Sequence, residues 1–261
     1  MVSFLKTARA VFGRSGGVGY HVAAFQYSRS MWSPFRVGLG DELQRRMEKL
    51  GPVKLIDLFI VGTSGGYCLA PEWLESFGSF WGIDHDPLAG FIFRRRNPRC
   101  SRFYRQDFFQ ELEKAGWSLE RWLEDHRYEA APGRRAVFLF SNLLGQLEFI
   151  YSPEKLSEVT EGLAIALGGQ VPWLSFHDRL SLKTGSHSLF RQSSAFRLST
   201  EEIARRFYAE YPNPSAAPGV PIEVEEHFIG RWIDHAAPNY TYFSWPLTGE
   251  HAQLIEVASQ Q

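Results

Sequence analysis

Apolar residues occur along the chain in short runs, separated by amphipathic segments and by glycine or proline. The clearest run is residues 53–61, Val-Lys-Leu-Ile-Asp-Leu-Phe-Ile-Val, which is too short and too rich in branched and aromatic residues for a helix. Such runs are typical of strands that are covered on both faces of a parallel sheet. Four further runs predict strands, near residues 80–84, 101–104, 135–140 and 171–176.

The segments between these strands have the pattern of helices, and the chain ends with a hairpin pattern. We predict helices at residues 41–50, 68–77, 88–93, 111–128, 153–167 and 201–211, and a hairpin formed by 240–247, a turn at 248–250, and 251–257. The alternation predicts an α/β fold, in which helices flank a mostly parallel seven-stranded sheet with an antiparallel C-terminal β-hairpin. We expect residues 1–50 to form an N-terminal helical extension or lid, and residues 51–261 to form the sheet domain.

The distribution of charge bears on the function of two segments of the chain. The formal net charge of -1 over 261 residues argues against a protein that binds nucleic acid over its whole surface. Six arginines nevertheless occur within residues 94–105, and Arg94, Arg95 and Arg96 could contact RNA or form a solvated surface. The first 40 residues contain no Asp or Glu, a pattern compatible with organelle import, with a helix on an anionic surface, or with an ordinary packed helix.

Cysteine usage and hydropathy predict a soluble protein of a reducing compartment, most simply the cytoplasm. Cys68 and Cys100 lack the spacing of a metal site, and we expect both to be buried thiols. No apolar run approaches the roughly 18 residues of a membrane span.

The first predicted strand leads directly into Gly62-Thr63-Ser64-Gly65-Gly66, which is the main candidate for a binding site. Glycines let the backbone approach a ligand, and the next helix would direct its N-terminus at the site. Asp84 follows Gly62 by close to the roughly 20 residues expected between a glycine-rich loop and a carboxylate that holds a ribose.

The same turn also matches Gly-x-Ser-x-Gly, the nucleophile elbow of serine hydrolases, with Ser64 as the nucleophile. Only about 60 residues precede Ser64, and neither a His-Gly-Gly loop nor a downstream Asp-Gly-Gly or Asp-Gly-Ala motif is present. A hydrolase therefore remains an alternative function.

The order of elements resembles the class I S-adenosylmethionine-dependent methyltransferases over roughly residues 50–258. In that family the last strand inserts antiparallel beside the fifth, through a hairpin like the one at 240–257. The resemblance implies a Rossmann-like domain with S-adenosylmethionine as cofactor and an acceptor that the sequence does not identify. It implies that the turn lies under the methionine part of the cofactor, that the Asp84 segment binds the ribose and that Asp107 lies near the adenine. The implied cofactor-binding residues are Gly62, Thr63, Ser64, Gly66, Asp84, His85, Asp107 and Asn142.

Two departures from the family pattern matter. Members usually carry an acid two residues before the first loop glycine, where this chain has Ile60. The loop after the fourth strand, Ser141-Asn142-Leu143-Leu144, lacks the Asp/Asn-Pro-Pro-Tyr pattern of amino-group methylation. A methyltransferase-like module without catalysis is therefore a second alternative.

Methyl transfer needs an in-line nucleophile and sometimes a base. Asn142 could orient the acceptor, and His177, at the end of a predicted strand, could be the base or a hydrogen-bonded structural histidine. Candidate lid residues are Tyr20, His21, Tyr27 and Trp32.

Overall fold

The structure is a computed structural model that describes residues 18–183, 191–210, 224–227, 233, 239–247 and 251–260. In this part of the chain the strands are β1 (Ile56–Val61), β2 (Ser79–Asp84), β3 (Arg102–Arg105), β4 (Arg135–Ser141), β5 (Trp173–Lys183), β6 (Arg191–Ser194), β7 (Val224–Glu226), β8 (Tyr240–Pro246) and β9 (His251–Ser259). The helices are α1 (Val18–Ser28), α2 (Ser33–Leu50), α3 (Pro71–Leu74), α4 (Pro87–Arg96), α5 (Phe108–Lys114), α6 (Leu119–Asp125), α7 (Leu147–Ile150), α8 (Pro153–Leu167) and α9 (Thr200–Glu210).

All the strands belong to one sheet, with the order β3-β2-β1-β4-β5-β9-β8-β6, while β7 pairs with β5. β1 to β5 are parallel, and β9 runs antiparallel to both β5 and β8. The predicted fold class is confirmed, including the C-terminal hairpin. The described chain has nine strands rather than the predicted seven, because the short strands β6 and β7 extend the sheet.

Two apolar layers cover the sheet, one on each face. In β1, Phe59 and Val61 face the layer that includes α5, α6 and α8, whereas Leu58 and Ile60 face the layer that includes α2. These side chains are at most 1% exposed, which explains why β1 is a continuous apolar run. β1 therefore lies at the centre of the molecule, with its carboxyl end leading into the glycine-rich turn.

The predicted helix at residues 68–77 is wrong. Only the four residues of α3 are helical, and Tyr67, Cys68 and Leu69 are buried in non-helical backbone before it. Pro71 has no N–H to continue a helix and disfavours helical backbone at the residue before it. The apolar face beside β1 is covered instead by α2, whose Phe35, Leu39, Leu43 and Met47 are fully buried.

The predicted helix at residues 111–128 is two helices, α5 and α6. Gly116 (φ +65°) and Trp117 (φ +57°) separate them, and neither has the backbone of a right-handed helix. The Trp117 indole packs against the position of Gly162 in α8, where a Cβ would overlap the ring. Gly116 N–H donates to the Glu113 carbonyl and Trp117 N–H to the Leu112 carbonyl, so a glycine cap ends α5.

The remaining predicted elements agree with the structure to within a few residues, with two exceptions. α2 begins at Ser33 rather than Asp41, and β5 continues to Lys183, seven residues beyond its predicted end. Residues 1–17 and the predicted turn at 248–250 lie outside the described residues. Cys68 is buried as expected, but Cys100 is only partly buried. Where the chain is described, no helix is long and apolar enough to cross a bilayer.

Candidate functional site

The glycine-rich turn has a backbone that most residue types would avoid. Gly62 (φ +75°), Ser64 (φ +48°) and Gly66 (φ +69°) are left-handed. A Cβ on Gly62 would lie 3.1 Å from the carbonyl oxygen of Ser141, so a larger residue would separate the turn from the exit of β4. The turn therefore packs directly against the end of the neighbouring strand.

Asp84 holds this turn from the end of β2. Ser64 N–H donates to Asp84 Oδ2 at 2.7 Å, and Asp86 N–H donates to Oδ1 at 2.9 Å. Burial raises the pKa of the Asp84 carboxyl against the opposing effect of both donors. The predicted ribose acid and the predicted turn thus lie together, and one carboxylate links them.

His85 and Asp86 face different surroundings. The His85 side chain is 57% exposed, with Nδ1 3.8 Å from Asp84 Oδ1. Asp86 Oδ1 caps α4 by accepting from Leu88 N–H at 2.8 Å, and Oδ2 lies 3.2 Å from His21 Nε2. Asp86 therefore connects the strand end to α1.

Part of the predicted lid lies over the turn. The rings of Tyr20 and His21 contact Tyr67, at centroid distances of 6.3 and 5.8 Å, and Tyr20 also lies beside Ser64. Burial raises the pKa of Tyr20. Trp32 lies elsewhere, in the core against Trp245, and Tyr27 contacts Trp32.

No helix N-terminus follows the turn closely, because α3 begins only at Pro71 and is four residues long. The long helix that follows a phosphate-binding loop supplies free N–H groups and a positive dipole end. The geometry therefore suits a ligand group without phosphate better than a dinucleotide.

The structure does not assemble a hydrolase site around Ser64. In the described part of the chain no histidine is hydrogen-bonded to its hydroxyl, which lies beside Tyr20 instead. A nucleophile elbow also needs a helix directly after the serine, and here the chain is non-helical up to Pro71. Nothing in the geometry supports this alternative.

Asp107 lies at the exit of β3 and caps α5. Its Oδ1 accepts from Phe109 N–H at 3.0 Å and from Gln110 N–H at 3.2 Å. The Tyr151 hydroxyl lies 3.5 Å from both carboxylate oxygens, and burial raises its pKa. The capping role is established by these contacts, and the predicted place beside an adenine stays a prediction.

Asn142 connects the exit of β4 to the middle of β5. It has φ +50°, its N–H donates to the Phe176 carbonyl at 2.8 Å, and its Oδ1 accepts from Asp178 N–H at 3.0 Å. A non-glycine residue held in left-handed backbone stores strain that surrounding contacts must support. The amide is therefore fixed at the edge where the glycine-rich turn also ends.

His177 is buried within the sheet. Its ring nitrogens lie 2.8 Å from Ser175 Oγ and 3.1 Å from Glu256 Oε1, and the side chain is 0% exposed. Burial lowers the pKa of His177. Arg197 Nε contacts both Glu256 oxygens, at 3.1 and 3.2 Å. This geometry supports a structural role in a buried ionic network, and the role as a base stays a prediction.

A second polar cluster, which no sequence motif marks, lies beside the β5 bulge between Asp178 and Leu180. Asp178 Oδ2 accepts hydrogen bonds from Gln146 and Gln253 and lies 3.7 Å from His227 Nδ1. Burial raises the pKa of Asp178 to about 7. His177-Asp178 marked this strand end in the sequence, but nothing local marked His227, which comes from a segment 49 residues later.

The arginine cluster after β2 is divided by the fold. Arg94 and Arg95 are exposed on α4, whereas Arg96 is half-buried with its guanidinium 4.9 Å above the Tyr67 ring. RNA contact through these residues stays a prediction. Within the described ranges, no group of three His, Cys, Asp or Glu residues is placed to hold a metal ion.

Comparison with known proteins finds only remote structural similarity. No protein-family model and no curated protein sequence matches the chain. Among solved structures, magnesium protoporphyrin IX methyltransferase from Synechocystis PCC 6803 with bound SAH is 11% identical, with 99% of this chain and 95% of that chain covered and a TM-score of 0.44. The N-methyltransferase NodS from Bradyrhizobium japonicum WM9 is 12% identical, with 87% and 97% covered and a TM-score of 0.44. CalS10, an amino pentose methyltransferase from Micromonospora echinaspora, is 13% identical, with 95% and 99% covered and a TM-score of 0.43.

These similarities are low, so the fold assignment rests on the sheet itself. β9 inserts antiparallel between β5 and β8, after five parallel strands in the order 3-2-1-4-5. This is the class I methyltransferase fold. The turn follows β1 and Asp84 ends β2, and cofactor binding at these residues stays a prediction.

Proposed function

We propose that the protein is an S-adenosylmethionine-dependent methyltransferase. One observation carries the proposal: in a sheet of this strand order, the carboxylate at the end of β2 is hydrogen-bonded to the left-handed turn at the end of β1. In open α/β sheets, ligands bind outside the carboxyl ends of the strands, where the strand order reverses. β1 is the strand at which the order reverses here.

The residues present fit this cofactor. The backbone of Gly62 to Gly66 would support its methionine part, and Asp84 would accept from the ribose hydroxyls with the lone pairs that Ser64 and Asp86 leave available. His85 lies beside Asp84 at the same edge. Asp107 would lie near the adenine.

The cofactor, when bound, supplies an electrophilic methyl group on a sulfonium. The protein then has to hold the acceptor in line and exclude water. Asn142 would orient an acceptor through its Nδ2, since Oδ1 accepts from Asp178 N–H and Nδ2 makes no hydrogen bond to the described residues. The acceptor itself is unidentified.

Calorimetric titration with S-adenosylmethionine and S-adenosylhomocysteine tests the proposal. We expect both ligands to bind at one site per chain. Folded protein that releases no heat with either ligand and shows no shift in its unfolding temperature would exclude cofactor use.

Ile60 favours a second candidate, a methyltransferase-like module without catalysis. Family members usually carry an acid at this position, and here the side chain is fully buried and apolar. Such a module would bind the cofactor without transferring its methyl group. Transfer of labelled methyl from the cofactor into any component of a cell extract, dependent on this protein, would exclude it.

A further inference from the structure

Besides Ser64 Oγ within the turn, four buried polar atoms beside the glycine-rich turn have no hydrogen-bond partner in the described part of the chain. They are His21 Nδ1, Arg36 Nε, Arg96 Nε and Asn97 Oδ1. They come from α1, from α2 and from the end of α4. Buried polar atoms are normally paired, so a group of four unpaired atoms requires an explanation.

Contacts place all four side chains against residues 66–69, the segment that completes the turn. A Cβ on Gly66 would lie 3.2 Å from Asn97 Nδ2, and the Arg96 guanidinium lies above the Tyr67 ring. Arg36 Nη2 donates to the Leu69 carbonyl at 3.4 Å. The His21 ring packs on Tyr67. The four side chains therefore lie around residues 66–69.

Positive charge at this place is not neutralised by the described residues. Arg36 donates to the backbone carbonyls of Ser28 and Leu69, and Arg96 stacks on Tyr67; neither forms an ion pair with a carboxylate in the described ranges. Burial, followed by the charge of Arg36, lowers the pKa of Arg96. The sequence of residues 1–40 contains no acid that could neutralise them.

Ile60 lies on the same face of the sheet. It belongs to the apolar layer that contains Tyr67, Cys68 and Phe93. Arg36, Arg96 and Asn97 lie on this face too. The face therefore lacks the carboxylate that family members usually carry at the position of Ile60. An ammonium group bound here needs another oxygen acceptor.

We propose that Arg36, Arg96 and Asn97 bind the amino-acid end of the cofactor, with its carboxylate on the two guanidinium groups and its ammonium on Asn97 Oδ1. This inference rests on the proposed function. Unpaired guanidinium N–H groups are donors that match a carboxylate, and an unpaired amide oxygen is an acceptor that matches an ammonium. An anionic group on the methyl acceptor is the other source of a carboxylate, and the experiment separates the two.

The test compares S-adenosylhomocysteine with 5′-methylthioadenosine, which has the nucleoside and the thioether but no amino-acid group. Both are titrated calorimetrically into the wild-type chain, Arg36→Gln and Arg96→Gln. We expect each substitution to weaken S-adenosylhomocysteine by about tenfold or more, because a charge-assisted hydrogen bond is lost, and to leave 5′-methylthioadenosine within about twofold. Arg95→Gln is the matched control, since Arg95 is the exposed neighbour on the same helix, and it should change neither affinity.

Three results would overturn the inference while leaving cofactor binding intact. Equal losses for both ligands would show that the arginines only support the turn. An unchanged affinity for S-adenosylhomocysteine would place the carboxylate elsewhere and leave the arginines to an anionic acceptor. Equal wild-type affinities for the two ligands would show that the amino-acid end is not recognised. A wild-type chain that binds neither ligand would instead overturn the proposed function.

Discussion

Replacing Asp84 by Asn tests the link between the two parts of the candidate site. The wild-type carboxylate accepts from Ser64 N–H at 2.7 Å and from Asp86 N–H at 2.9 Å, one on each oxygen. Asn keeps the shape but has one acceptor oxygen, so its NH₂ group must face one of the two backbone donors. The substitution therefore breaks one bond and leaves one N–H without an acceptor.

The size of the effect follows from these contacts. A hydrogen bond to a charged group contributes about 1.5–3 kcal/mol. Because the Asp84 side chain is only 10% exposed, water cannot readily pair with the N–H group that loses its acceptor. Removing a partly buried charge returns some of this energy, since burial disfavours the carboxylate. We expect a net loss of about 1–2 kcal/mol in the free energy of unfolding, and a weakening of S-adenosylhomocysteine binding by about tenfold or more as the ribose loses an acceptor.

The assay combines urea unfolding with calorimetric titration of S-adenosylhomocysteine. Asp125→Asn makes the same chemical change at an exposed position on α6 and should alter neither quantity. A second variant, Ser64→Gly, separates turn geometry from ligand contact, because it removes the strain of a non-glycine residue at φ +48° but keeps the N–H donor. Ser64→Gly should bind S-adenosylhomocysteine like the wild type.

The reasoning would be refuted if Asp84→Asn bound S-adenosylhomocysteine with wild-type affinity. In that case Asp84 would serve only as a structural support for the turn. A lower unfolding free energy with an unchanged affinity would likewise show that Asp84 does not bind the ribose.

Three further predictions concern β5 and its neighbours. Burial raises the pKa of Asp178 to about 7, so the stability that its protonated carboxyl contributes is fully present below pH 3.8 and is lost as pH rises through 7. Asp178→Asn should remove this pH dependence of the unfolding free energy, which amounts to up to about 4 kcal/mol. The same pH dependence in both chains, measured by urea unfolding, would refute the prediction. Gly145→Ala should lower the unfolding free energy by about 1–3 kcal/mol, because the new Cβ would overlap Asp178, and an unchanged melting temperature would contradict this. Glu256→Gln should cost about 3–5 kcal/mol, because it removes the buried negative charge that faces Arg179, Arg197 and His177. Urea unfolding measures the effect, and a loss below about 1 kcal/mol would show that this charge is dispensable.

Elements defined by local pattern were predicted well. Apolar runs located β1, β2 and β4, and alternation with a turn signal located the β8–β9 hairpin. The order of these elements was enough to predict the sheet, because parallel connections are right-handed and pass over one face. The spacing from the turn to Asp84 also predicted a real contact, since parallel neighbours end at the same edge of the sheet.

Elements and roles that depend on distant residues were not predictable in this way. The segment at 68–77 has helical apolar spacing, yet α2 already covers that face of β1 and the chain passes beside it in non-helical backbone. His177 looked available at a strand end until β9 placed Glu256 beside it, 79 residues later in the chain.

The sequence by itself determined seven of the nine described strands, including the hairpin, together with the turn and the acid at the end of β2, because each depends on side-chain periodicity or on residues close in the chain. Only the tertiary structure decided which polar groups meet. Arg36 and Arg96 are 60 residues apart and belong to helices that each pack by their apolar faces. That packing leaves both guanidinium groups beside the turn without a carboxylate from the described residues, and no local pattern records such an arrangement.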